Sequence, residues 1–319
     1  VNADGLRAVT ATNPGDGSPP TERRAFTRTP AGVWRDLGAL FPDGHSAAFD
    51  INDAGTVVGQ SGPPSSLQFA FGAFMWDAEE GIRPVPGTAQ PDLEPDPNQP
   101  DVYSIASAVS DSGIVAGTTS APMGTAVPFV HDPASGETTL LPGLPDHPIA
   151  SVSDVNDAGQ VVGTAVYWGL AYTQAVLWSP PDYQPVPLPD PPGSEFSDQS
   201  VANAISEEGM IVGRWLEPRP GGGVRGITWD AAAPHTPVEI EGFVPHDVGN
   251  DGTLVGDDGD YYDPVALVWR AGAAQPERLG SLEGGAASAV AIDGRHIAGW
   301  AEDGMDGPRH VARFAPNPR

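Results

Sequence analysis

The chain has no cysteine, no lysine and few positive charges. Without cysteine it can form no disulfide and perform no thiol chemistry. It also lacks a phosphate-binding glycine loop with its lysine, a Gly-x-Ser-x-Gly turn and a His-Glu-x-x-His helix. The 42 acidic and 15 basic residues give a formal net charge of −27, which repels DNA, RNA and anionic lipid. No run of about 18 apolar residues occurs either, so the sequence predicts no membrane insertion. Because of the negative charge, it predicts no nucleic-acid partner.

What the chain does contain is one phrase that recurs along its 319 residues. The phrase consists of small residues, then Ile or Val with Asn or Ser, a turn that ends in glycine, two hydrophobic residues and a second glycine. Its clearest copies are residues 48–61, 153–166 and 203–216. The turn glycines lie 42 to 58 residues apart and are Gly5, Gly55, Gly113, Gly159, Gly209, Gly252 and Gly294. Repeats of this period are typical of propellers and solenoids.

Each repeat divides into four short strand patterns, here called a, b, c and d. A tight turn such as Asn52-Asp53-Ala54-Gly55 joins a to b, because Asn and Asp bond their own backbone and glycine supplies a positive φ. Four antiparallel strands per repeat predict an all-β propeller, a single domain over residues 1–319. Seven b and c patterns but only six a and d patterns favour seven blades, with incomplete terminal blades and a ring closed by the two termini. Six blades is the alternative.

Strand c carries an aromatic residue in constant phase, which predicts packing between blades rather than ligand binding. The residues concerned are Phe74, Trp76, Phe129, Trp178, Trp229, Trp269 and Phe314. His131 takes the same position, so we expect it to be structural. Replacing Trp229 or Trp269 with alanine is therefore expected to cost about 3–5 kcal/mol.

These segments resemble the HAF-repeat family of extracellular proteins. Repeats of that family combine an Ala-Phe-x-Trp strand, a Leu-Gly-x-Leu segment and an Ile-Asn-x-x-Gly-x-Val-Val-Gly segment, which match residues 73–76, 37–40 and 51–59. Two copies depart from the pattern, since Val9 replaces the second glycine of the first and Gly299 is shifted by one residue in the last. The resemblance implies a secreted propeller and leaves the ligand open.

The predicted connections separate onto two faces. The a–b turns are short and uniform, whereas the b–c and d–a connections are long and differ in every repeat, so we expect binding on this second, variable-loop face. Aromatic residues in no constant phase occur there, and we predict that they are partly exposed and bind sugar rings or a protein partner. They are Trp168, Tyr172, Trp215, Tyr261, Tyr262 and Trp300. The alternative is that they pack at the mouth of the channel.

An acidic loop offers oxygen ligands of the kind that calcium prefers. Its carboxylates are Asp257, Asp258, Asp260 and Asp263, set around glycine turns. Their spacing does not match the twelve-residue EF-hand loop, and ordinary solvated charge is the alternative. No other cofactor is predicted.

The sequence therefore predicts a secreted binding module without catalytic residues. It would be lectin-like, or an adaptor subunit of an extracellular assembly (an antibacterial one, by analogy), with a glycan or an extracellular protein as partner. The alternative is a carbohydrate-active hydrolase or lyase with a pair of carboxylates at the channel mouth, which a closed ring could bring together from distant repeats.

Overall fold

Among the residues that it describes, the computed structural model contains 26 β-strands and no helix that could cross a membrane. The described residues are 1–12, 23–63, 71–89, 103–120, 125–166, 172–191, 199–217, 223–260, 262–304 and 309–314. The chain divides into two compact units. The N-terminal unit comprises residues 2–161 and 179–184, and the C-terminal unit comprises residue 1, residues 162–178 and residues 185–319.

The N-terminal unit contains three antiparallel sheets. Blade 1 has three strands, β1 (Arg7–Thr12), β2 (Arg23–Arg28) and β3 (Trp34–Asp36). Blade 2 has four, β4 (His45–Ile51), β5 (Val57–Gly62), β6 (Gly72–Asp77) and β7 (Gly81–Pro84). Blade 3 also has four, β8 (Ser104–Val109), β9 (Val115–Ser120), β10 (Ala126–Asp132) and β11 (Glu137–Leu140).

Blade 4, through which the boundary between the units runs, consists of β12 (Ile149–Val155), β13 (Val161–Val166), β14 (Thr173–Trp178) and β15 (Pro185–Pro187). Three further sheets belong to the C-terminal unit. Blade 5 has β16 (Ser200–Ile205), β17 (Met210–Leu216), β18 (Val224–Asp230) and β19 (Val238–Ile240). Blade 6 has β20 (Val244–Val248), β21 (Leu254–Asp257), β22 (Ala266–Trp269) and β23 (Glu277–Arg278). Blade 7 has β24 (Ala287–Asp293), β25 (His296–Glu302) and β26 (Arg309–Phe314).

The prediction of a seven-bladed antiparallel propeller is confirmed, and the six-blade alternative is wrong. As predicted, the first blade lacks strand a and the last blade lacks strand d among the described residues. All seven turn glycines have a positive φ, from 52° at Gly294 to 89° at Gly113, which explains why glycine recurs there. The assignment of the whole chain to one domain stays a prediction.

The a–b turns also join successive blades, a role that the sequence analysis did not anticipate. Asn52 Oδ1 accepts a hydrogen bond from Thr56 N–H and so closes its own turn, while Asn52 Nδ2 donates to the carbonyl oxygen of Ser110 in the next blade. The Asp53 N–H donates to Asp111 Oδ1 at 2.8 Å. The uniformity of this face is therefore explained by hydrogen bonds between blades and requires no ligand.

Most aromatic residues of strand c are buried as predicted. Phe74, Phe129 and Trp178 are fully buried and Trp229 is 2% exposed. His131 is 3% exposed and its Nδ1 shares a 2.9 Å hydrogen bond with Thr138, which supports a structural role; burial lowers its pKa. Trp269 is an exception, because it is only half-buried: its ring packs edge-on against Phe243 and its Nε1 donates to the Ala273 carbonyl.

Candidate functional site

A cavity of about 700 Å³ lies at one end of the strands in blades 5, 6 and 7. Its walls come from the last residues of the b strands, such as Asp257 and Trp300, and from the first residues of the a strands, such as Val244 and Ser288. This end is the one from which the b–c and d–a connections leave, so the cavity opens on the variable-loop face. All of its lining residues belong to the C-terminal unit.

Three of the lining residues share one position in the repeat. Arg214, Asp257 and Trp300 each follow the second glycine of their copy and end up in the wall of this cavity. In the first four blades the corresponding residues are Thr10, Gln60, Thr118 and Thr164. At this position the last three blades therefore carry a charged or aromatic side chain, whereas the first four carry a hydroxyl group or an amide.

In two of the earlier blades this position has a structural role. Thr10 Oγ1 accepts a hydrogen bond from the N–H of Ala48, on the inner strand of the next blade, at 3.0 Å. Thr118 Oγ1 accepts one from the N–H of Val152 at 3.3 Å. A hydroxyl group at this position thus fixes the inner strand of the neighbouring blade.

The same bond is impossible for the residue at position 214. In blade 6, Pro245 lies opposite Gly256, which is the position that Ala48 takes opposite Gly59 in blade 2. Proline has no N–H to donate, so it cannot bond a side chain at position 214. Arg214 is exposed, and its side chain has no hydrogen-bond or ion-pair partner among the residues that the structure describes. Its guanidinium group is therefore available to a ligand.

Asp257 is the buried centre of the cavity wall, with 8% of its surface exposed. Its Oδ2 accepts a hydrogen bond from Ser288 Oγ at 2.8 Å and lies 2.8 Å from Nε2 of His246, a residue placed at a β-bulge of β20. Its Oδ1 accepts a hydrogen bond from the Gly259 N–H at 3.0 Å. Burial by itself would raise the pKa of Asp257, but the hydrogen bonds from His246, Ser288 and Gly259 hold it below the ordinary value. The carboxylate is therefore ionised and fixed in orientation near neutral pH.

This arrangement is not that of a serine nucleophile. Ser288 and His246 both bind the same oxygen of Asp257, whereas nucleophilic catalysis requires a hydrogen bond from the serine to the histidine. Ser288 is also only 2% exposed. The two side chains instead hold the carboxylate in place.

Another part of the wall is formed by an aromatic residue with an arginine on its face. The guanidinium carbon of Arg309 lies 4.2 Å from the centroid of the half-buried Trp300 ring. Arg309 Nε also donates to Glu302 Oε1 at 2.9 Å, so its charge is already balanced. Tyr262, 89% exposed, completes the rim.

The predicted aromatic set is only partly brought together. Tyr262 and Trp300 both line the cavity and are exposed or half-buried as expected. Tyr172 is 38% exposed but is not part of the cavity wall. Trp168 and Tyr261 lie outside the described residues.

The prediction that Trp215 is exposed is wrong, because the residue is 4% exposed. Strand β17 continues to Leu216, so side chains alternate through this segment. Arg214 therefore faces the cavity, whereas Trp215 packs into a buried cluster with Ile211 and Trp229. Its Nε1 has no hydrogen-bond partner in the described part of the chain.

The four acidic residues of the predicted calcium loop do not converge. Asp257 is engaged as described above, Asp258 Oδ1 accepts hydrogen bonds from the N–H groups of Asp260 and Val265, and Asp260 Oδ1 accepts from those of Tyr262 and Asp263. The two bonds to Asp260 lower its pKa. Within the described ranges, no group of three or more His, Asp or Glu side chains could hold a metal ion.

We therefore expect calcium to leave the stability of the protein unchanged. A cation that bound only the folded state would raise the melting temperature. Thermal melts in excess EDTA and in millimolar calcium should coincide. A higher melting temperature in calcium, lost in the Asp260→Asn variant, would contradict this expectation and support the predicted calcium site.

Several cavity residues were not predicted from the sequence, namely Arg214, His246, Ser288 and Arg309. A signal for the first of them was present in the repeats. The residue after the second glycine changes from threonine or glutamine to Arg214, Asp257 and Trp300 in the last three copies. Aligning the copies on that glycine would have placed all three side chains at one end of adjacent blades.

Comparison with known proteins gives structural likenesses only. No family model and no curated protein matches the chain. The β-propeller domain of the Trilobed protease from Pyrococcus furiosus, described as having an open velcro topology, is similar with a TM-score of 0.59 at 9% identity, over 98% of this chain and 91% of that one. TolB from Acinetobacter baumannii is similar with a TM-score of 0.51 at 12% identity, over 88% of this chain and 65% of that one.

An acylaminoacyl peptidase from Pyrococcus horikoshii is similar as well, with a TM-score of 0.56 at 10% identity, over 98% of this chain. The chain spans only 50% of that peptidase. At such identities these likenesses show that the chain has the β-propeller fold.

Proposed function

We propose that this protein is a secreted, lectin-like binding module of the HAF-repeat type, and that its ligand occupies the cavity of blades 5 to 7. The observation that carries the proposal is the change at one repeat position. Where Thr10 and Thr118 bond the neighbouring blade, Arg214, Asp257 and Trp300 line a cavity of about 700 Å³. That volume is within the range of small-ligand sites.

The chemistry of the cavity supports a ligand rich in hydroxyl groups. Carboxylate oxygens of Asp257, Asp260 and Glu302 accept hydrogen bonds, Arg214 donates them, and the half-buried Trp300 offers apolar surface. Sugars present both hydroxyl groups and apolar ring faces. A glycan, free or attached to an extracellular protein, therefore fits better than a purely apolar ligand.

The protonation state of the same carboxylates favours binding over glycoside hydrolysis as the function of the cavity. A hydrolase needs one carboxylic acid whose pKa is raised so that it can protonate the leaving oxygen. In this cavity the pKa of Asp257 and that of Asp260 are both lowered by hydrogen bonds, and Glu302 is paired with Arg309. Asp257 and Asp260 are thus not prepared to act as a general acid.

A glycan array tests the proposal, with a pull-down from culture supernatant to detect a protein partner. We expect wild-type protein to bind a defined set of glycans, and Trp300→Ala to weaken that binding by about tenfold or more, as for a central aromatic contact. Trp34→Ala is the matched control, because Trp34 is 50% exposed and also carries an arginine, Arg28, at 5.1 Å from its ring. Absence of any bound glycan, or an equal loss in both variants, would contradict the proposal.

A further inference from the structure

Among the described residues that line the cavity, Arg214 is the one positively charged side chain without an ion-pair partner. Arg309 is paired with Glu302 at 2.9 Å, and His246 lies 2.8 Å from the Asp257 carboxylate. The Arg214 side chain, by contrast, has no partner in the parts of the chain that the structure describes, although the protein carries 42 acidic residues. An exposed arginine in so acidic a chain has many potential partners, so its isolation in a cavity wall suggests that a ligand supplies the counter-charge.

The strand neighbours of Arg214 offer it no partner. In the register of the sheet it lies between Val201 on β16 and Gly226 on β18, neither of which offers a charge or a polar side chain. The place of a side chain at Gly226 is filled by the carbonyl oxygen of Phe243 and the ring of Pro245, so the only open direction given for Arg214 is the cavity whose wall it forms. The planar guanidinium group presents parallel N–H donors that match the two oxygens of a carboxylate.

We propose that the cavity selects glycans that carry a carboxylate, of the uronic-acid type, and that Arg214 binds the acid group. The proposal rests on the glycan-binding function proposed above and names the ligand class for the same site. The acid group contacts Arg214, while hydroxyl groups of the sugar donate to Asp257, Asp260 and Glu302.

An acidic peptide fits this lining less well than an acidic sugar. The three carboxylates on the cavity wall would repel a ligand with several negative charges, whereas they accept hydrogen bonds from hydroxyl groups. The cavity therefore matches a ligand with one acid group next to Arg214 and hydroxyl groups elsewhere. Longer acidic glycans would place their remaining acid groups outside the cavity.

Calorimetry with methyl galacturonoside, which carries one acid group, and with its methyl ester tests the proposal, because the two probes differ only at the carboxylate. At low ionic strength we expect the wild-type protein to bind the acid about tenfold or more tightly than the ester, as expected of charge-assisted hydrogen bonds. Arg214→Met should bind both probes alike, and Arg214→Lys should keep part of the preference, since it keeps the charge but loses the planar fork. Arg295→Met is the matched control, because Arg295 is exposed in the a–b turn of blade 7, at the other end of the strands.

Equal affinity of the wild type for acid and ester, or a preference that survives in Arg214→Met, would overturn the assignment of Arg214. If neutral glycans still bound on the array and lost affinity in Trp300→Ala, the proposed function would stand without it. If neither methyl galacturonoside nor any other glycan bound, both proposals would fall together.

Discussion

Replacing Trp229 with alanine is expected to lower the free energy of unfolding by about 3–5 kcal/mol, the range for large-to-small changes in a core. Trp229 is 2% exposed and packs with Ile211 and Trp215. Its Nε1 also donates to the carbonyl oxygen of Pro189 at 2.8 Å, so the variant leaves both a void and an unpaired acceptor. Urea unfolding followed by fluorescence or circular dichroism measures the difference.

Trp269→Ala is the informative comparison for that measurement. The repeated aromatic position of strand c predicts the same cost at both residues, but Trp269 is only half-buried, so less apolar surface is lost. We therefore expect a clearly smaller destabilisation than for Trp229→Ala. Equal effects of the two substitutions would contradict the packing described for strand c.

Gly213→Ala is expected to destabilise the protein by about 3 kcal/mol or more, at the upper end of the range for overpacking. A Cβ atom at this position would lie 2.1 Å from the carbonyl oxygen of Val201 and 3.0 Å from the ring of Trp229. The cause is close approach rather than backbone conformation, because Gly213 does not have a positive φ. Strands β16 and β17 would have to separate to accept the methyl group.

A second glycine provides the control for this effect. A Cβ atom added at Gly280 would meet no atom of a non-adjacent residue within 4 Å, and Gly280 has no positive φ, so Gly280→Ala should leave the thermal midpoint almost unchanged. Thermal melts of the two variants beside the wild type decide the point. A midpoint for Gly213→Ala as close to wild type as that of Gly280→Ala would show that the second glycine of the repeat is not required by packing.

The blades could be predicted from sequence because their signals are local and repeated. A positive φ at Gly55 or Gly209 and an aromatic residue at Phe74 or Trp229 recur at the same point of each copy. Each signal depends on a few neighbouring residues. The repetition therefore identifies strands, turns and blade number without knowledge of distant contacts.

The cavity could not be predicted in the same way, because it depends on contacts between blades. Ser288 and His246 meet at Asp257 from positions 31 and 11 residues away along the chain. Nothing in the local sequence of either residue indicates that contact. Likewise, the burial of Trp215 follows from the continuation of β17 to Leu216, which keeps Arg214 and Trp215 on opposite faces of the sheet.

The presence of Arg at position 214, where other copies have Thr, is explained only by Pro245 of the next blade. In sequence the two residues are unrelated substitutions in different copies. In the fold, the missing N–H of Pro245 removes the reason for a hydroxyl group at position 214. Sequence reasoning that compares copies one at a time therefore misses the site, whereas a comparison of adjacent blades finds it.

The central claim is that ligand binds in the cavity walled by Arg214, Asp257 and Trp300. A crystal structure of the full chain with methyl galacturonoside tests it most directly. The account predicts density for the sugar inside this cavity, with a carboxylate paired to the Arg214 guanidinium and a ring against Trp300. Sugar bound at the a–b turns or along another blade, with this cavity filled only by solvent, would contradict it.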